Sequence, residues 1–191
     1  MIESILGGPI FWYASRALGV TAYVALTLEV LLGLSASTGA LDRLLGRAQV
    51  IDLHRWLSTI ALATLGAHAA VLLADRTVSM SLVDLLVPFV GPYRPFATGL
   101  GVLAAWLALI VHGSFWLRKR IGGRAWRALH FATFAVFVAA TFHGLLAGTD
   151  RAWLGLRLLY AGAAAAVATL VFVRLGLLLA RPALQRKVAG R

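Results

Sequence analysis

The chain has 191 residues, 61% of them hydrophobic and 13% charged, with a mean hydropathy of +0.87. That is too apolar for a soluble domain of this length, and no polar stretch is long enough to hold one, so residues 1–191 are expected to form a single membrane domain. The net charge of +11 does not mark a nucleic-acid binder, because the basic residues fall between and after apolar runs. Cysteine is absent. This excludes disulfides, cysteine-ligated iron–sulfur clusters and covalent haem attachment, and leaves haem b or a metal held by histidine and oxygen.

The N-terminal MIESILGGPIFW has no basic stretch ahead of its apolar residues, so a cleaved signal is not expected. Five runs are long enough to cross a hydrocarbon core about 30 Å thick. They are Phe11–Ser35, Val50–Ala74, Ala97–Leu117, Trp126–Ala147 and Leu154–Leu179. Between the second and third, the apolar piece Leu82–Val90 is too short to span, and Pro88, Pro92 and Pro95 oppose a continuous helix. The expected fold is an all-α integral membrane bundle of five helices, with a short interfacial or re-entrant segment between the second and third.

Arg43 and Arg47, then Arg118, Lys119, Arg120 and Arg124, then Arg181, Arg186, Lys187 and Arg191 fall on one side of such a bundle. That side should be the cytoplasm, with the N-terminus outside and the C-terminus inside. The Ala, Leu, Arg and Gly bias is of a bacterial kind, which places the chain in the inner membrane.

Four histidines occupy two of the runs: His54 and His68 in the second, His130 and His143 in the fourth. Spacings of fourteen and thirteen residues separate each pair by roughly 20 Å along a helix. The charge topology sets His54 level with His130 on the cytoplasmic side, and His68 level with His143 outside. A polar ring in hydrocarbon must be satisfied and usually marks function. Zinc or copper sites gather three or four protein ligands, whereas each level here offers two histidines and no nearby carboxylate. Two trans imidazoles suit haem, because the porphyrin supplies the other four nitrogens. The expectation is therefore two bis-histidine b haems, with His54, His130, His68 and His143 as the iron ligands. Gly66, Ala67, Ala69, Ala70 and Gly144 give room beside two of these rings, and Thr64 is placed to hydrogen-bond the second nitrogen of His68. The thirteen-residue step conflicts with this scheme: it leaves His143 about 140° from the face of His130 on an ideal helix. Either the helix is locally irregular or the two haems approach it from different sides.

The four-histidine pattern, the stretch RKRIGGRAWRALHFATF, the helix start FWYASRALGVTAY and LLAGTDR after His143 together resemble the ferric reductase-like transmembrane family. That family includes the membrane domains of NADPH oxidases and ferric reductases, and the haem-binding subunit of the bacterial methionine sulfoxide reductase system. The resemblance covers nearly the whole chain. It implies electron transfer across the membrane by stacked b haems, from a cytosolic flavin to an outer acceptor. Unlike the oxidases, the chain shows no flavin- or nicotinamide-binding domain after its last helix, and it lacks the extra N-terminal span of some relatives. The donor is then expected to be separate: a flavoprotein, a bound flavin such as FMN, or a quinol.

Arg16 and Arg94 are candidate partners for the propionates of the outer haem, and Arg127, with Arg124, for those of the inner one. The competing role is a snorkelling or positive-inside anchor. His112 has no partner at its depth and reads as a propionate or interface contact, while Glu29 needs a partner or a proton. Phe134 and Phe137 read as packing between the levels. Two other functions stay open: a proton or metal transporter using the intramembrane histidines, and a quinol-oxidising dihaem cytochrome.

Overall fold

The computed structural model describes residues 10–189, with side chains for residues 10–150 and 152–180. The N-terminal MIESILGGP and the side chains of Arg181, Arg186, Lys187 and Arg191 lie outside the described part. It is 84% helical, with no strand among the described residues. The elements in chain order are α1 (Ile10–Thr38), α2 (Arg47–Ala74), α3 (Leu82–Leu86), α4 (Pro95–Ile121), α5 (Gly123–His130), α6 (Ala132–Ala147), a 3₁₀ turn (Thr149–Ala152) and α7 (Leu154–Ala189).

Five helical stretches are long and apolar enough to cross a membrane: α1, α2, α4, α5 with α6 taken together, and α7 as far as Ala180. The chain is a multi-pass membrane protein. The spans run up to a turn past the apolar runs where charged residues prolong the helix. Arg47 opens α2, and Arg118, Lys119 and Arg120 fill the last turn of α4, where their charge also meets the negative end of the helix dipole. Pro95 starts α4 at a first-turn position, where its missing N–H costs nothing. Gly122, at φ 81°, turns the chain directly from α4 into α5.

The helices pack in two main pairs, α1 on α2 and α4 on α6, with α7 and α6 closing on α1. The core sits where α1, α6 and α7 meet. There Tyr23 lies with its ring centroid 4.6 Å from that of Tyr160 and 6.0 Å from that of Phe137, and its hydroxyl is 3.0 Å from Thr141 Oγ1. Phe137 is buried in this cluster and Phe134 packs on its margin. The two histidine-bearing spans do not pack directly on one another. Each leans on its own support helix, α2 on α1 and α6 on α4, and a cavity of about 980 Å³ lies between them.

The segment between α2 and α4 holds the five-residue helix α3. Ser81 caps it: the Asp84 N–H donates to Ser81 Oγ, and Asp84 Oδ2 accepts from Ser81 N–H at 2.8 Å and from its hydroxyl at 2.7 Å. These bonds hold the Asp84 carboxyl below the usual aspartate range. The helix ends two residues before Pro88, as the restricted residue ahead of a proline requires. Trp106 of α4 donates its indole N–H to Leu86 O at 2.9 Å, which ties the segment to the flank of α4.

Candidate haem-binding site

The structure brings the four histidines together as two facing pairs. The rings of His54 and His130 have centroids 6.1 Å apart and planes at 80°; those of His68 and His143 are 6.5 Å apart at 73°. A metal–imidazole bond of about 2 Å, with the ring centre roughly 1.1 Å behind the nitrogen, puts trans imidazole centroids roughly 6.3 Å apart. Both pairs meet that separation.

Three of the rings are held by the same device. His68 Nδ1–H donates to Ser15 O at 2.6 Å, His54 Nδ1–H to Glu29 O at 2.9 Å, and His143 Nδ1–H to Ala97 O at 2.8 Å. A carbonyl only accepts, so Nδ1 carries the proton in each and Nε2 is free as a ligand. Four residues after each carbonyl stands a glycine. A Cβ at Gly19 would lie 3.1 Å from His68 Cε1, one at Gly33 would lie 3.3 Å from His54 Cε1, and one at Gly101 would lie 2.7 Å from His143 Cε1. The glycine leaves open the groove into which the ring settles, one turn beyond the carbonyl that it grips. Gly19 and Gly33 are fourteen residues apart on α1, as are His54 and His68 on the antiparallel α2.

This arrangement revises two sequence expectations. Thr64 does not serve His68: its hydroxyl bonds to Ile60 O and Ala61 O on its own helix, and Ser15 O takes the role. Gly66 faces no neighbour within 4 Å and Gly144 faces Tyr160, so the glycines that accommodate the rings are those on the support helices. Sequence reasoning passed over Gly19, Gly33 and Gly101. The matching fourteen-residue spacings were the signal that pointed to the first two.

The thirteen-residue step is eased by a break. Phe131 separates α5 from α6, its N–H shared between Arg127 O and Ala128 O at 3.2 Å each, and its own carbonyl accepts from Phe134 N–H. One such tightened turn advances about 120° per residue rather than 100° and moves His143 roughly 60° toward the face of His130.

The cavity runs past both levels. Its lining reaches from Arg16 and Asp75 at one end to Arg118, Trp126 and Arg127 at the other. The Trp126 indole N–H and Asp75 Oδ2 are buried with no hydrogen-bond partner. An orphaned donor beside arginines fits the oxygen-bearing edge of a cofactor. Among the described residues no three His, Asp or Glu side chains gather to hold a metal by themselves. The residues therefore fit a group that brings its own in-plane ligands.

The arginines are distributed unevenly. Arg16 reaches across to Asp150 and Thr149 in the 3₁₀ turn, with its Cζ 4.2 Å above the Trp12 ring. Arg94 donates to Leu146 O at 2.6 Å and lies over Tyr93, while Arg127 lines the cavity at its Trp126 end. Arg16 and Arg94 thus already have protein partners. His112 Nδ1 is 3.0 Å from Ser58 Oγ, and the same hydroxyl faces the Glu29 carboxyl, which makes a polar cluster from α1, α2 and α4 on the cavity wall.

No curated protein and no solved structure gives a significant match to the chain. The family described as ferric reductase-like transmembrane component matches residues 18–141, a stretch that contains all of α2 and α4 and ends two residues short of His143. That is well over half of the sequence, and the chain belongs to the ferric reductase-like transmembrane family, whose domains generally bind haem and serve membrane redox chemistry.

Proposed function

We propose that this protein is a dihaem b electron-transfer subunit. His54 and His130 hold one haem and His68 and His143 the other. The observation that carries the reading is the double histidine pair, with centroids at 6.1 and 6.5 Å and Nε2 left free on three of the four rings by carbonyl-bound Nδ1. Haem b would supply a one-electron Fe(III)/Fe(II) couple at each level, held by the two histidines there. The chain's part is to fix the rings, to exclude water with the apolar walls of α2, α4 and α6, and to match carboxylates with Arg118 and Arg127 at one end of the cavity. Positive-inside placement of Arg43, Arg47, Arg118, Lys119, Arg120 and Arg124 supports a cytoplasmic level at His54 and an outer one at His68, in a bacterial inner membrane. The donor is a separate cytoplasmic flavoprotein, flavin or quinol, and the acceptor a separate partner outside. A metal transporter is less well supported, since no three metal-ligating side chains gather among the described residues.

Purified protein should give a reduced b-type spectrum with two haems per chain, and His68→Ala should retain one. A colourless protein, or a His68→Ala variant with unchanged haem content, would sink the reading. Among the donors, Glu29, Ser58 and His112 favour a quinol, because they offer hydrogen-bonding groups on a cavity wall within the membrane. A quinone analogue that shifts the wild-type spectrum but not that of His112→Leu supports entry there.

A further inference from the structure

The four paired histidines are not built alike. His54, His68 and His143 each lie inside a continuous helix, grip a carbonyl through Nδ1 and settle against a glycine on a support helix. His130 has none of these features. It is the last residue of α5, against the discontinuity at Phe131. No described residue accepts a hydrogen bond from either of its ring nitrogens. The antiparallel register that sets Gly101 against His143 arrives, thirteen residues further along α4, at Ser114 instead of a glycine. Ser114 is 3% exposed and its hydroxyl is bonded to Val111 O at 2.6 Å, so it neither leaves a groove nor receives the ring. The stacking partner of His130 is Trp126, at 5.1 Å and 22°, one turn back on the same eight-residue helix, so ring and partner can shift together.

A ring whose second nitrogen is tied to a carbonyl is locked in one tautomer and is a more basic ligand; removing such a tie typically weakens metal binding about 10–100-fold. We propose that His130 is the releasable member of the set, and that the His54–His130 level takes a small neutral ligand of the carbon monoxide or nitric oxide class in its place. The His68–His143 level, carbonyl-locked on both sides, does not. The exchange is a substitution: the bond from the His130 imidazole breaks, one bond to the incoming ligand forms, and no electron or proton is transferred. Phe131 absorbs the displacement of His130, because the helical hydrogen-bond ladder is already interrupted there. The inference rests on the bis-histidine reading of both levels.

The test is a carbon monoxide titration of dithionite-reduced protein whose haem content has first been measured. Protein with two haems per chain should bind one carbon monoxide per chain. His68→Gly, which keeps only the haem of the His54–His130 level, should still bind one carbon monoxide per chain, whereas His130→Gly, which keeps only the haem of the His68–His143 level, should bind none. Uptake of none or of two by the wild type, or uptake by the haem that remains in His130→Gly, overturns the proposal. The wild-type stoichiometry decides the first point without any variant. Absence of haem refutes the dihaem reading itself, while two haems with no carbon monoxide uptake refutes only the releasable His130.

Discussion

At the scale of single residues, the site depends on three glycines that the histidines require. In an apolar run a glycine ordinarily reads as close helix packing; here each stands opposite an imidazole, four residues after the carbonyl that the imidazole grips. The closeness differs, and so should the cost of adding a methyl group. Gly101→Ala would bring a Cβ within 2.7 Å of His143, Gly19→Ala within 3.1 Å of His68, and Gly33→Ala within 3.3 Å of His54. Overpacking costs about 1–3 kcal/mol in a tight core. Gly101→Ala should sit at the upper end of that range and Gly33→Ala at the lower end. Melting temperatures in detergent, read with haem retention, check the order; equal values for all three would show that the rings yield freely.

At the scale of elements, the break at Phe131 and the short helix α3 carry the departures from regularity. An uninterrupted helix places residues thirteen apart on nearly opposite faces, and the α5–α6 junction reduces that offset at the expense of continuity beside His130. The α3 helix is held by its cap. The Asp84 carboxyl sits below its ordinary range because Ser81 donates to it twice. A carboxyl whose folded value is depressed contributes stability that is present above the unfolded value and is lost as pH falls through the folded one. Amide exchange of Leu85 and Val87, whose N–H groups bond to Ser81 O and Val83 O, should therefore accelerate on acidification in that window. Asp84→Asn should remove the pH step, and a step that persists in Asp84→Asn would assign it to another group.

At the scale of the whole molecule, the loops after α1 and after α2 lie at opposite ends of α2, and the proposed orientation puts the first on the cytoplasmic side. The absence of cysteine makes the orientation simple to read. Leu44→Cys, in the exposed loop after α1, should react with a membrane-impermeant maleimide only in inverted vesicles, and Ser79→Cys, in the loop after α2, only in right-side-out ones. The opposite pattern would reverse the assignment of inner and outer haem levels while leaving the pairing intact.

Much of this was legible in the chain itself. Five apolar runs of sufficient length dictate five spans, because lipid offers the backbone no hydrogen bonds other than those within a helix. Two histidines per run at nearly equal spacing place the rings at two depths, since a helix rises by a fixed 1.5 Å per residue. The small segment after α2 followed from its length and prolines. Three things needed the tertiary structure. Which carbonyls receive Nδ1 depends on the register of α1 against α2 and of α4 against α6, and register is a property of two helices together. Whether Arg16 and Arg94 are free depends on what the folded chain brings within their reach, and Asp150 and the Leu146 carbonyl lie far away in sequence. Finally, the spacing of His130 and His143 announced an irregularity but not its site. Phe131 became the break because the facing pairs fix where both rings must point, and the helix between them accommodates that demand within a single turn.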